Sequence, residues 1–139
     1  MSLDNLTYLY DLTTSKLELL ERSLNSILQL AVAEETFAQI IDGKPTRPSY
    51  ERNYFTLFDP DVSERLYPTD SSVREWTEIK QNWGLQSLKL DAQLVQAFQD
   101  AQEHSRLEDL RLLEMVAASL HFLAGAIYAS CHPDTDLAH

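Results

Sequence analysis

The chain has 139 residues, 44% of them hydrophobic and 24% charged. That is the balance of a folded chain rather than a disordered tail, and a chain of this size buries about two-thirds of its unfolded surface without a metal or disulfide staple. Eleven Lys and Arg against 22 Asp and Glu leave a net charge of −11, which argues against direct nucleic-acid binding and against docking on an anionic membrane, since both need cationic patches. One cysteine permits neither an internal disulfide nor a thiolate cage, as expected in a reducing cytoplasm.

The first ten residues contain no Lys or Arg, and Asp4 and Asp11 interrupt any apolar run, so no secretory leader is expected. Leu17, Leu20, Leu24, Ile27, Ala31, Ala38 and Ile41 recur every three or four residues and predict a helix over about 15–42. Ser15 with Glu18 reads as its capping box and Asp42-Gly43 as its stop. Leu6, Leu9 and Tyr10 could extend it backwards from Asp4.

Four of the five prolines, Pro45, Pro48, Pro60 and Pro68, lie close together. They make residues 43–71 an irregular or short-helix connection, far longer than the usual ~2–8 residues between bundle helices. A second capping box, Ser72 with Glu75, opens a short helix over 72–83 whose Val73, Trp76, Ile79 and Trp83 share one side. Gly84 stops it, and Leu85, Leu88, Ala92, Val95, Phe98 and Ala101 continue the apolar pattern through a helix over 86–104. Ser105 with Glu108 opens the last helix, 106–131, which is apolar round nearly its whole circumference, as a central buried helix would be. Its run from Met115 to Cys131 is near membrane-spanning length, but His121 interrupts it and Arg106 and Arg111 flank one side alone, so a core helix is the expectation. Pro133 ends it, leaving a tail over 132–139. The fold class expected is all-α: a single domain, a compact antiparallel bundle of four to five helices with a long Pro-rich connection between the first and second main helices.

Chemistry-bearing patterns are sparse. The three glycines are scattered, no Glu-x-x-His or His-Glu-x-x-His occurs, and no Gly-x-Ser-x-Gly occurs, so neither a phosphate loop, a bundle metal site nor a nucleophile elbow is expected. Glu114 and His121 share a helical face but stand ~10 Å apart along the axis, too far to hold one ion directly. Cys131-His132 lies at a helix C-terminus, whose partial negative charge raises a thiol pKa. No catalytic residue, metal site or cofactor is expected.

The connection is the least acidic part of the chain, with a net charge of −1, and it concentrates Arg47, Arg52 and Arg65 with tyrosines such as Tyr54. Arg and Tyr are enriched at binding hot spots, so Arg47, Arg52, Tyr54 and Arg65, with Trp76 and Trp83 beside them, are the expected ligand- or partner-binding residues. The leading functional expectation is a non-enzymatic protein–protein interaction module that also self-associates, with another protein or a homodimer as partner and with neither nucleic acid nor membrane. One alternative is a small-ligand-binding bundle, or an enzyme, whose pocket these Arg, Tyr and Trp side chains line. A third is an acidic mimic blocking a basic site, suggested by the net −5 of the first 42 residues.

Overall fold

A computed structural model of the chain describes residues 5–43 and 69–132. Among these the chain is mostly α-helical, with a small two-stranded sheet. In order run β1 (Leu6–Thr7), α1 (Thr14–Leu28), α2 (Ala31–Asp42), α3 (Asp70–Asn82), β2 (Leu90–Asp91), α4 (Ala92–Asp100) and α5 (Arg106–Cys131), with a 3-10 turn at Leu85–Ser87. Contacts divide the chain into two compact units, residues 1–27 with 83–125, and residues 28–82 with 126–139.

The first unit is built around Leu20 and Leu24 of α1, Val95 and Phe98 of α4, and Met115 and Val116 of α5, all buried. Leu9, Leu12, Leu88 and Leu90 from the non-helical segments complete that core. Those segments depart from the helical expectation. Residues 6–7 are strand, and the stretch 86–104 begins as a 3-10 turn and a strand before α4 starts. Leu6 pairs with Asp91 and Thr7 with Leu90 in antiparallel register. The reason is a local period of two: Leu88 and Leu90 point inward while Lys89 between them is exposed, an alternation that only an extended chain satisfies.

The helix expected over 15–42 is two helices, α1 and α2, parted at Leu30, whose backbone is extended (φ −73°, ψ 146°). The buried residues explain the break. Leu20, Leu24 and Leu28 lie on one face, whereas Ala33, Phe37, Ala38 and Ile41 would lie about a third of a turn away on a continuous helix. On one straight rod the two sets would fall on different faces.

The capping also shifts. The α1 helix starts one residue before Ser15, whose hydroxyl instead donates to Glu103 Oε1 at 2.6 Å. The α3 helix starts two residues before Ser72, and the Thr69 hydroxyl accepts the Ser72 N–H. Ser105 does cap α5, its Oγ accepting the Glu108 N–H at 3.1 Å.

In the second unit, Phe37 of α2 stacks on Trp76 of α3 with ring centroids 4.4 Å apart and planes 9° off parallel. Asp42, at the end of α2, accepts hydrogen bonds from the Thr69 N–H and from the hydroxyls of Thr69 and Ser72 at the start of α3. Gly43 closes α2 in the left-handed region (φ 81°), its N–H donating to the carbonyls of Gln39 and Ile40, as the expected stop requires.

The α5 helix differs from the central buried rod expected. One narrow stripe is buried, at Glu108, Met115, Val116, Ser119 and Ile127, while Leu107, Leu110, Leu113 and Tyr128 are exposed. By length and composition this helix could cross a membrane, and of its 18-residue apolar window 22% is buried.

Candidate functional site

Four of the six residues expected to bind a ligand or partner, Arg47, Arg52, Tyr54 and Arg65, lie outside the described residues. The two tryptophans are not brought into one described site. Trp76 is wholly buried in the second unit against Phe37, with Lys80 Nζ 6.0 Å from its ring centre, and its Nε1 has no hydrogen-bond partner among the described residues. Trp83 lies just beyond the end of α3, half-buried against the core of the first unit.

Among the described residues, a concavity with room for a ligand lies in the first unit: a groove of about 300 Å³ between the N-terminal segment, α1 and the 3-10 turn, lined by Leu9, Tyr10, Leu17, Glu21, Leu85 and Gln86. Leu9, Leu17 and Leu85 supply an apolar floor. Glu21, Tyr10 and Gln86 supply an exposed polar rim, with Tyr10 74% accessible. Its ring stacks on Tyr8 at 5.3 Å, and Lys89 Nζ stands 4.8 Å from the Tyr8 ring centre. An apolar floor with an unpaired carboxylate and a phenol at the rim suits an apolar group that carries a positive charge. Nothing in local spacing marks this groove, since its walls are assembled from residues 9–21 and 85–86.

In the same unit a buried ion pair ties the start of α1 to α5. Lys16 and Glu108 are 2% and 5% accessible. Lys16 Nζ donates to Glu108 Oε2 at 2.6 Å and to the Ala101 carbonyl at 2.7 Å, and stands 5.1 Å from the Phe98 ring centre. Glu108 Oε1 accepts the His104 N–H at 3.0 Å, where the backbone turns through φ 64°. The Lys16 hydrogen bond holds the Glu108 carboxyl below the usual carboxylate range, and the His104 N–H adds to this against the opposing effect of burial. Both carboxylate oxygens and two of the three ammonium N–H groups are hydrogen-bonded within the fold, which is the arrangement of a structural tie rather than of a poised acid or base.

At the other end of α5, Cys131 Sγ lies 3.9 Å from Glu75 Oε1. Burial, and then the Glu75 charge, push its thiol pKa up, which disfavours a nucleophilic thiolate. The direction matches the expectation, but the causes are burial and Glu75 rather than the helix C-terminus. His132 Nε2 bonds to the Ile40 carbonyl at 3.0 Å, and its ring lies against Tyr128. Glu114 pairs with Arg111 at 2.7 Å, and His121 is exposed. Among the described residues no three His, Cys, Asp or Glu side chains converge to hold a metal ion.

No protein-family model, curated protein or solved structure matches the chain. What the structure defines is therefore a class: a mostly helical protein with one apolar groove described in its first unit and a long helix whose apolar side is largely uncovered.

Proposed function

We propose that this chain is a non-enzymatic protein–protein interaction module, an adaptor, assembly factor or regulatory subunit of the cytoplasm, that binds another protein and associates with itself. The antiparallel bundle read from the sequence, with its Pro-rich connection, is part of this proposal. The observation that carries it is the uncovered side of α5. Leu107, Leu110 and Leu113 are 50%, 44% and 66% exposed, and from Met115 to Cys131 the helix has no Asp, Glu, Lys or Arg. A contiguous exposed apolar surface marks a site of protein or membrane contact, and the net charge of −11 favours a protein over an anionic membrane.

Light scattering after size exclusion, together with affinity capture from the source cell, tests the reading. Self-association or a stoichiometric protein partner is expected. A chain that stays monomeric and captures no protein would overturn it.

The groove favours a second reading, a site for a small cationic or amine-bearing ligand. Filling it with Leu17→Trp should abolish such binding and leave protein capture through α5 intact. Capture lost in this variant, with the fold retained, would instead place the partner at the groove.

A further inference from the structure

One face of α5 within the first unit carries Leu107, Leu110, Glu114, Ala117, His121 and Gly125, at steps of three or four residues that keep them on one side of the helix. All are exposed, and the buried residues Met115, Val116 and Ser119 lie on the opposite side. Gly125 is the least expected of the six. It lies inside a helix, where Gly is less favourable than Ala, and a Cβ built there meets nothing within 4 Å. Nothing described in this chain requires the missing side chain, and its absence leaves the backbone open to close approach on that face.

We infer that a second copy of this chain packs there, its α5 antiparallel to the first about a two-fold axis near Ala117 and Ala118. The inference rests on the interaction reading above and names its partner. An isologous contact needs pairs of positions equidistant from the axis to complement each other, and this face meets that requirement. Leu110 and Gly125 lie equally far on either side of the midpoint, so the leucine of each copy meets the glycine of the other. Glu114 and His121 are likewise equidistant, so each carboxylate meets His121 of the partner subunit. The small residues Ala117 and Ala118 fall at the crossing, where the two backbones come nearest.

Charge selects the direction. The whole chain carries −11, so two copies approach best where charge is absent, on the C-terminal part of this face. In the antiparallel pair the two Asp109 carboxylates stand ~25 Å apart along the axis, beyond the ~8–10 Å screening length at physiological salt. A parallel pair would set Asp109 and Glu114 of the two copies side by side. Charge also argues against a lipid surface as the occupant, because the exposed ionic groups at this end are Arg106, Asp109 and Glu114, with no cationic excess. A spanning helix would further require Met115, Val116 and Ser119 to leave the protein core they occupy.

Sedimentation velocity of the full chain, with helicity followed by circular dichroism, tests this. The wild-type chain should dimerise. Leu110→Asp and Gly125→Leu should each raise the dissociation constant at least about tenfold while retaining helicity. For Gly125→Leu the monomer should gain thermal stability, since leucine is the better helix former and has room. Val32→Asp, which alters an exposed apolar residue in the other unit, should dimerise as the wild type does. His121→Glu should weaken the dimer, and adding Glu114→Lys should restore it.

A dimer that persists in both Leu110→Asp and Gly125→Leu overturns the inference and leaves the interaction reading standing. So does a monomer that captures a different protein through this face. A monomer that instead binds phosphatidylcholine or phosphatidylcholine–phosphatidylserine vesicles in a Leu110-dependent way overturns both.

Discussion

Lys16 shows why a charged residue inside an apolar stripe need not mark a reactive site. Its ammonium is taken from water but given a carboxylate, a carbonyl and an aromatic face in exchange. The neighbouring positions Ser15, Arg106 and Asp109 are exposed, so the shield over the pair is thin. Breaking it should then cost less than the ~3–5 kcal/mol of a deeply buried pair. Glu108→Gln should destabilise the fold by about 2 kcal/mol at neutral pH, measured by urea unfolding. The folded carboxyl has its pKa depressed, so its contribution is fully present above the unfolded value of ~4.3 and is lost as pH falls through the folded value. The difference between wild type and Glu108→Gln should accordingly shrink on acidification and vanish once both side chains are neutral. A gap that stays constant with pH would show that the charge is not what stabilises the pair.

At the scale of elements, the breaks matter as much as the helices. Gly43 ends α2 with a positive φ, and a Cβ there would lie 2.8 Å from His132 Cε1. Gly43→Ala should therefore cost about 1–2 kcal/mol by combining left-handed strain with a displaced imidazole. Thermal unfolding measures this, and if the ring alone is responsible, His132→Ala in the same chain should remove most of the penalty. The Asp42 cluster beside it ties the end of α2 to the start of α3, so it fixes where the intervening segment leaves and returns. At Leu30 no glycine or proline announces the break. A sequence reading that follows periodicity alone carries the helix through, because each half is periodic and only the phase between them changes. The same limitation hid the two strands: two residues alternate too briefly to register as a pattern, and Leu88 and Leu90 fit a helical stripe as well as an extended one.

For the whole molecule, the proposed α5 interface makes a prediction about behaviour in solution. If a dimer forms through it, binding free energy adds to folding free energy, and the melting temperature must rise with protein concentration. A tenfold increase in concentration should give a measurable upward shift in the wild-type chain and a smaller one in Leu110→Asp. Equal melting temperatures across concentrations in both would exclude a dimer that involves the folded state. The groove at Leu17 and Glu21 should be insensitive to that change, because its walls come from the N-terminal segment, α1 and the 3-10 turn rather than from α5.

Residue order alone determined the helical character, the stop at Gly43, the Ser105 cap and the span of α5, because capping chemistry and three-to-four-residue periodicity act within a few residues of themselves. It also shows that the three glycines are scattered and that no Glu-x-x-His or His-Glu-x-x-His occurs. Which face of each helix meets protein was decided by the tertiary structure. Periodicity reports that a residue is apolar, not whether a neighbour covers it, so α5 read as a core rod although one stripe of it is enclosed. The groove and the Lys16–Glu108 tie were likewise decided there, since each joins positions more than 60 residues apart and no local spacing encodes such a distance.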